Sequence, residues 1–303
     1  MTYPSENETT DGERRLNKMI IEARINEITR RTANPNIPYT PDEIIADILD
    51  CAAAGASVVH FHARTPDGGE SNDPADYRKV ITAVRAKSDV LIHTTLGQFD
   101  STDAGQRTAH VAELARTGAK PDIAPLDMGS FNVDIFDPET RRFQPGSFIY
   151  TNPTENLRAM AEQLRGFGIK PQAVPWSVPS GRLMQAFLDA GLLDAPAFAG
   201  FILTGDTILA AHPTSLKGIE AYVDLCTDDR VQWSMMSYGA SLLPLVPDIA
   251  RMGGHVSIGL GDYPYLELGQ PTNADVIRAV VDAAQGAGRA VATPAETRAM
   301  LGM

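Results

Sequence analysis

His60 and His62 stand two residues apart at the end of an apolar run, Ala56-Ser-Val-Val-His-Phe-His62. Side chains alternate along a strand, so the two imidazoles share one face while Val59 and Phe61 share the other. Two neutral imidazoles at this spacing are good ligands for a divalent metal. The plainer reading is a hydrogen-bonded pair without metal. A lone histidine would favour it; a same-face pair at a strand's end favours the ion. A catalytic zinc takes a third protein ligand and keeps one position open. Glu22, His93 and Asp262 could each supply it. Each also has a plainer role: Glu22 paired with Arg24, His93 as a satisfied interior histidine, Asp262 as a turn or capping residue. His255 reads like His93, and His110 and His212 read as structural or exposed.

Such residues need elements that aim them at one place. The chain of 303 residues carries 43% hydrophobic residues, enough for a sizeable core, and a net charge of −12. That acidity argues against nucleic acid or an anionic membrane surface as the main partner. The two cysteines, Cys51 and Cys226, form no C-x-x-C and suit a reducing cytoplasm. Residues 1–18 are polar and charged and read as a flexible arm. No apolar run is long enough for a membrane span.

From residue 19 to 303 strand and helix patterns alternate. Strands are predicted over 19–26, 56–62, 89–95, 122–126, 170–176, 199–204, 231–237 and 254–260, each followed by a helix. Thr40, Pro41 and Glu43 form a helix start with a capping box, and Gly55 ends that helix. Helices are also predicted over 181–191 and 242–252. The connection 127–152 is too long to be idle and reads as a lid or interface segment. Eight strand–helix units predict a single (β/α)8 TIM barrel, with an open doubly wound sheet as the alternative. The missing G-x-G-x-x-G after the first strand weakens a dinucleotide-binding fold. In a barrel, active residues sit at the C-terminal strand ends, which is where the histidine pair falls.

Several segments resemble the β-keto acid cleavage enzymes, typified by 3-keto-5-aminohexanoate cleavage enzyme. They are Asn34-Pro-Asn-Ile-Pro-Tyr-Thr-Pro-Asp-Glu43, Ala54-Gly-Ala-Ser-Val-Val-His-Phe-His-Ala-Arg64 with Asp67 and Gly68, Pro121-Asp-Ile-Ala-Pro-Leu-Asp-Met-Gly-Ser130 with Asn132, Gly168-Ile-Lys-Pro171, Met252-Gly-Gly-His-Val256 and Ala292-Thr-Pro-Ala-Glu296. The resemblance implies a zinc-dependent homo-oligomer (dimer or tetramer) that converts a β-keto acid and acetyl-CoA into acetoacetate and a new acyl-CoA by a retro-Claisen route. It places the metal on His60 and His62, the catalytic aspartate at Asp262 and a strand-three hydroxyl at Thr95. It places a substrate-contacting carboxylate after strand one, at Glu27; Arg24 and Asn26, which alternate with Glu22 on strand one, are read as further substrate contacts.

This chain departs from the family pattern. Strand eight usually reads Arg-Val-Gly-Leu-Glu-Asp; here it is Ser257-Ile-Gly-Leu-Gly-Asp262. The glutamate that supplies the third zinc ligand is Gly261, and the arginine paired with the catalytic aspartate is Ser257. Strand five has Pro171-Gln-Ala-Val174 in place of Pro-Glu-Ile-Glu, and strand four has Pro125 in place of threonine. Glu22 or Asp262 is the expected replacement ligand, and Arg24 the expected replacement arginine. The pattern is that of a divergent branch whose substrate differs from the type member's. A metal-dependent hydrolase and a non-catalytic barrel that binds a small acid are the alternatives.

Overall fold

The computed structural model describes residues 17–27, 29–96 and 101–303. Eight parallel strands alternate with helices: β1 Ile21–Arg24, β2 Val58–Phe61, β3 Leu91–Thr94, β4 Ile123–Met128, β5 Lys170–Pro175, β6 Ala197–Thr204, β7 Val231–Tyr238 and β8 His255–Ile258. Their order is β6-β7-β8-β1-β2-β3-β4-β5, and β5 pairs back onto β6 through Gln172 and Phe198. That last pairing closes the sheet, so the (β/α)8 barrel is the fold and the open alternative falls away. A two-residue strand, His212–Pro213, adds to the end of β6. The N-terminal arm, through residue 16, lies outside the described residues. Among the described residues no helix is long and apolar enough to cross a membrane.

Local sequence explains the helix starts. Helix α1, Pro41–Ala54, begins with Thr40 and Glu43 in a reciprocal capping box and ends at Gly55 with φ 119°. Helix α2, Pro74–Arg85, is capped by Asp73. Helices α3 Ala104–Arg116 and α4 Thr154–Gly166 follow β3 and β4. Helix α5, Val178–Asp189, starts earlier than the pattern predicts because Ser177 caps it and Pro179 suits its first turn. Helix α6 is Leu216–Cys226. The helix predicted over 242–252 is broken into a 3₁₀ turn, Leu243–Leu245, and α7, Val246–Arg251. Pro244 and Pro247 lack the amides that a continuous helix would need. Helices α8, Asn273–Gly286, and α9, Pro294–Met300, both start with capping boxes. The connection after β4 folds into two small antiparallel pairs, Phe131–Asn132 with Ile149–Tyr150 and Ile135–Asp137 with Arg142–Gln144.

Strand alternation divides the interior. Ile21, Ala23, Val59, Phe61 and Ile92 pack outward in the main core with the helices. Ile20, Val58, Leu91, Ile123 and Phe198 form a separate apolar plug in the barrel, covered by Leu301. Above that plug the inward positions turn polar: Glu22, Arg24, His60, His93, Gln172 and Ser257 are all buried. Burying so many polar and charged groups is costly unless they are paired, so their pairing defines the site.

One buried amide ties together the two strand ends that matter most. Asn273, fully buried at the start of α8, accepts from Leu260 N at 2.7 Å and donates to Ile25 O at 2.8 Å. Its second hydrogen goes to Asp47 Oδ2 at 2.7 Å. Gly259 is required here, since a Cβ would lie 2.0 Å from Arg24 O. Burial pushes the Asp47 carboxyl up from 3.8 to about 7, despite the Asn273 hydrogen bond. The raised value means that the folded chain prefers neutral Asp47. Its stabilising contribution is complete below 3.8 and is lost as pH rises to about 7. Asp47→Asn should therefore raise the melting temperature by about 2 °C at pH 8. Thermal scans should show the gap to wild type growing between pH 4 and 7; a gap independent of pH would contradict this account.

Candidate active site

His60, on β2, and His62, just beyond it, turn toward the same carboxylate. His60 Nε2 lies 2.9 Å from Glu27 Oε1, and His62 Nε2 lies 2.8 Å from Glu27 Oε2. Glu27 follows β1 with φ 39°, a left-handed conformation that costs a side-chain-bearing residue energy. Neighbours impose it. Arg64 Nη1 donates to Glu27 O at 2.5 Å and to Asn26 O at 3.1 Å. Gly261 leaves the room: a Cβ there would come within 2.7 Å of Glu27 Cγ and 3.0 Å of Glu27 N. The carboxylate that stands with the histidines thus comes from the β1 side, across the space next to Gly261. Of the two expected replacements, Glu22 stands beside His60 and His93, and Asp262 pairs with Arg24.

Arg24 joins this cluster to Asp262. Its Nε lies 2.8 Å from Asp262 Oδ1, and its Nη2 lies 2.6 Å from Glu27 Oε1 and 2.5 Å from Tyr238 Oη. One guanidinium therefore serves two carboxylates. Burial would raise the Glu27 carboxyl, but Arg24, His60 and His62 outweigh it and hold Glu27 well below the usual range. For Asp262 burial wins: helped by the Glu27 charge and opposed by Arg24, it pushes the carboxyl up to about 8. Asp262 Oδ2 is buried without a hydrogen-bond partner. Burial also lowers His60 to about 3, so its ring is neutral at physiological pH.

A second cluster lies deeper. His93 Nδ1 is 2.5 Å from Glu22 Oε1, while Glu22 Oε2 accepts from Ser257 Oγ at 2.7 Å and Gln172 Nε2 at 3.3 Å. His93 sits beside His60, with ring centroids 4.4 Å apart.

Among the described residues, two groups of side chains bring three ligand atoms close enough for one ion: Glu27, His60 and His62, and Glu22, His60 and His93. The first group fits a divalent metal on its donors. Two imidazoles converge on a carboxylate that is held ionised, and imidazole nitrogen with carboxylate oxygen is a donor set that suits a divalent ion. The second is sealed, since Glu22 and His93 have no exposed surface.

Two other expected site residues have different surroundings. Asn26 was read as a substrate contact, but its side chain is spent on backbone: Nδ2 donates to Pro38 O and His62 O, and Oδ1 accepts from His62 N at 3.0 Å. It positions His62. Thr95 is buried, its hydroxyl bonds Leu96 O at 3.2 Å, and its carbonyl faces His110 Nε2 at 3.0 Å. Sequence reasoning missed Tyr238, although its place at the end of β7 was the available signal. It also missed the wall behind it. Trp176 stacks on Tyr238 with centroids 5.6 Å apart and on Phe131 at 4.5 Å, and its Nε1 donates to Asp127.

A closed parallel barrel with ionisable groups gathered at the C-terminal strand ends defines a (β/α)8-barrel enzyme. The chain belongs to the β-keto acid cleavage enzyme family, whose sequence model matches residues 18–303. It is 27% identical over 294 residues to the 3-keto-5-aminohexanoate cleavage enzyme of Acetoanaerobium sticklandii, covering 95% of this chain and 99% of that one. It is 25% identical over 284 residues to the 3,5-dioxohexanoate:acetyl-CoA acetone transferase of Paraburkholderia graminis, covering 88% and 90%. The apo structure of ObcA shares the fold with a TM-score of 0.68 and 16% identity; the match covers 88% of this chain and 66% of that one, just under two thirds. The family expectation drawn from the sequence is met. Membership also favours cleavage chemistry over the hydrolase and the non-catalytic barrel.

Proposed function

We propose that this protein is a metal-dependent β-keto acid cleavage enzyme that uses acetyl-CoA. The acetyl group would move to the α-carbon of the β-keto acid, the bond from that carbon to the keto carbon would break, and the remaining acyl fragment would leave on the CoA sulfur. The products are acetoacetate and a new acyl-CoA. The observation that carries this reading is the convergence of His60 and His62 on Glu27 beside the Arg24–Asp262 pair. The names of the relatives, several of them acetyl-CoA transferases, support the co-substrate.

His60, His62 and Glu27 would hold the ion, and their donor set suits zinc. When bound, it would engage the substrate's carboxylate and keto oxygens and offset the negative charge that develops there. Asp262 is the base. Arg24 fixes its Oδ1, its Oδ2 is unpartnered, and a carboxyl raised to about 8 is matched to taking the α-carbon proton near neutral pH. Arg24, whose Nη2 donates to the Tyr238 hydroxyl, holds that carboxylate in place, and Asn26 holds the His62 backbone. The role of Thr95 as a catalytic hydroxyl rests on the family resemblance alone.

Metal-loaded protein incubated with acetyl-CoA and a panel of β-keto acids should form acetoacetate and the matching acyl-CoA, read by mass spectrometry. No acyl-CoA from any acid would contradict the proposal. Asp262→Asn should lower kcat by about 10²- to 10⁴-fold and leave metal content unchanged, because the amide can still accept from Arg24 but cannot take a proton. A wild-type kcat would remove Asp262 from the chemistry.

The same reading includes a homo-oligomer, dimer or tetramer, working in the cytoplasm. Exposed Ile135, Phe143, Ile149 and Leu209, 49% to 59% accessible, support self-association. Two buried free cysteines support a reducing compartment.

A further inference from the structure

We propose that a wall of Val174, Trp176, Ile202, Met236 and Tyr238 receives the substituent on the substrate's keto carbon, so that the substrate is a β-keto acid with an uncharged, apolar side chain. This rests on the proposed binding of the acid's carboxylate and keto oxygens beside His60, His62 and Glu27. Val174, Ile202 and Met236 form a buried apolar cluster separate from the helix-packed core and from the plug, and Trp176 and Tyr238 pack against it. Strand alternation aims it inward. Gln172 reaches Glu22 in the interior, and Val174 lies two residues further along β5 on the same face. Ile202 on β6 is the register partner of Met236 on β7, and Tyr238 follows Met236 by two.

The wall adjoins the candidate metal ligands. Arg24 Nη2, 2.6 Å from Glu27 Oε1, also meets Tyr238 Oη at 2.5 Å, so one guanidinium separates the two regions. An acid held at His60, His62 and Glu27 with its α-carbon toward Asp262 has its polar end on the side of β1, β2 and β8. Its substituent then extends to the opposite side, where β5, β6 and β7 end.

The wall offers nothing to a charged substituent. Arg24 already lies 5.4 Å from the centre of the Tyr238 ring, so a second cation there would meet its charge. Trp176 stacks on Phe131 and Tyr238 and gives Nε1 to Asp127, whose other oxygen accepts from Tyr150 Oη at 2.7 Å. A substituent carboxylate would find Arg24 committed to Asp262 and Glu27. Val174 itself stands where the family pattern has the second glutamate of Pro-Glu-Ile-Glu. Desolvating a charge against such a surface is costly, whereas an alkyl chain gains by burial.

The test is titration calorimetry on zinc-loaded protein without acetyl-CoA, so that binding is read apart from turnover. The ligands are acids of equal chain length: 3-oxohexanoate, cationic 5-amino-3-oxohexanoate and anionic 3-oxoadipate. The expected result is that 3-oxohexanoate binds at least about 100-fold tighter than either charged acid. Trp176→Ala should weaken 3-oxohexanoate by about 10-fold and leave the charged acids nearly unchanged. Thermal unfolding checks that variant, and the wild-type ranking decides the substrate class whether or not it folds. Equal affinities, or a preference for a charged acid, would overturn the proposal. An apolar preference that survives intact in a folded Trp176→Ala would overturn the assignment to this wall. Failure of all three acids to bind would instead overturn the reading beneath it.

Discussion

Glu27→Gln is expected to strip the metal from the protein and to reduce acyl-CoA formation by about 10³-fold or more. Both oxygens of Glu27 are in use: Oε1 faces His60 and Arg24, and Oε2 faces His62. The amide is neutral and turns an N–H toward one of those partners. Metal affinity should fall steeply, since the change is at a ligand itself. Gly261→Ala should reproduce the defect without touching a ligand, because its Cβ would press on Glu27 Cγ and on the Glu27 backbone nitrogen. Metal content after dialysis checks both variants. A full complement of ion in Glu27→Gln would show that the carboxylate is a bystander.

Arg24→Met should produce the largest combined loss of stability and turnover. Its methylenes are replaced, but the charge that holds Glu27 ionised is gone and Asp262 loses its hydrogen-bond donor. Removing one partner from a buried ion pair costs about 3–5 kcal/mol, since the remaining charge is left uncompensated. The pH dependence has a definite sign. Glu27 is held below its ordinary 4.5, so it stabilises the fold above that pH and the contribution is lost as pH falls through the lowered value. The gap in melting temperature between wild type and Arg24→Met should therefore be wide at pH 7 and narrow toward acid. Added zinc should recover part of it by supplying positive charge beside Glu27. Turnover should fall about 10²- to 10³-fold, because Asp262 loses the group that fixes Oδ1. A variant as stable and active as wild type would mean that the buried pairs are incidental.

How much of this was legible beforehand depends on where each residue sits. His60 and His62 could be placed because strand period and barrel geometry are enough to aim them. Arg24 could be anticipated as the partner of Asp262 because it points inward on β1. Glu27 could not be aimed the same way. It lies past the strand's end, and its left-handed φ breaks the alternation that predicts direction. Gly261 reads as the loss of a ligand when strand eight is considered alone. Next to Glu27 it is the space that lets a carboxylate from the other side reach the histidines. Ser257 and Gln172 misled in a similar way, since their shared partner Glu22 is remote in sequence. Asn26 has the right position for a substrate contact, but the backbone of His62 claims its amide. The break before α7 was readable from Pro244 and Pro247, and the apolar period of 242–252 concealed it.

The central claim is that Glu27, His60 and His62 hold one divalent ion at the barrel mouth. An anomalous difference map collected at the zinc edge, from crystals of zinc-loaded protein, tests it most directly. The account predicts one strong peak about 2.0–2.2 Å from His60 Nε2, His62 Nε2 and an oxygen of Glu27. A peak between Glu22 and His93, or no peak beside Glu27 at full zinc loading, would contradict it.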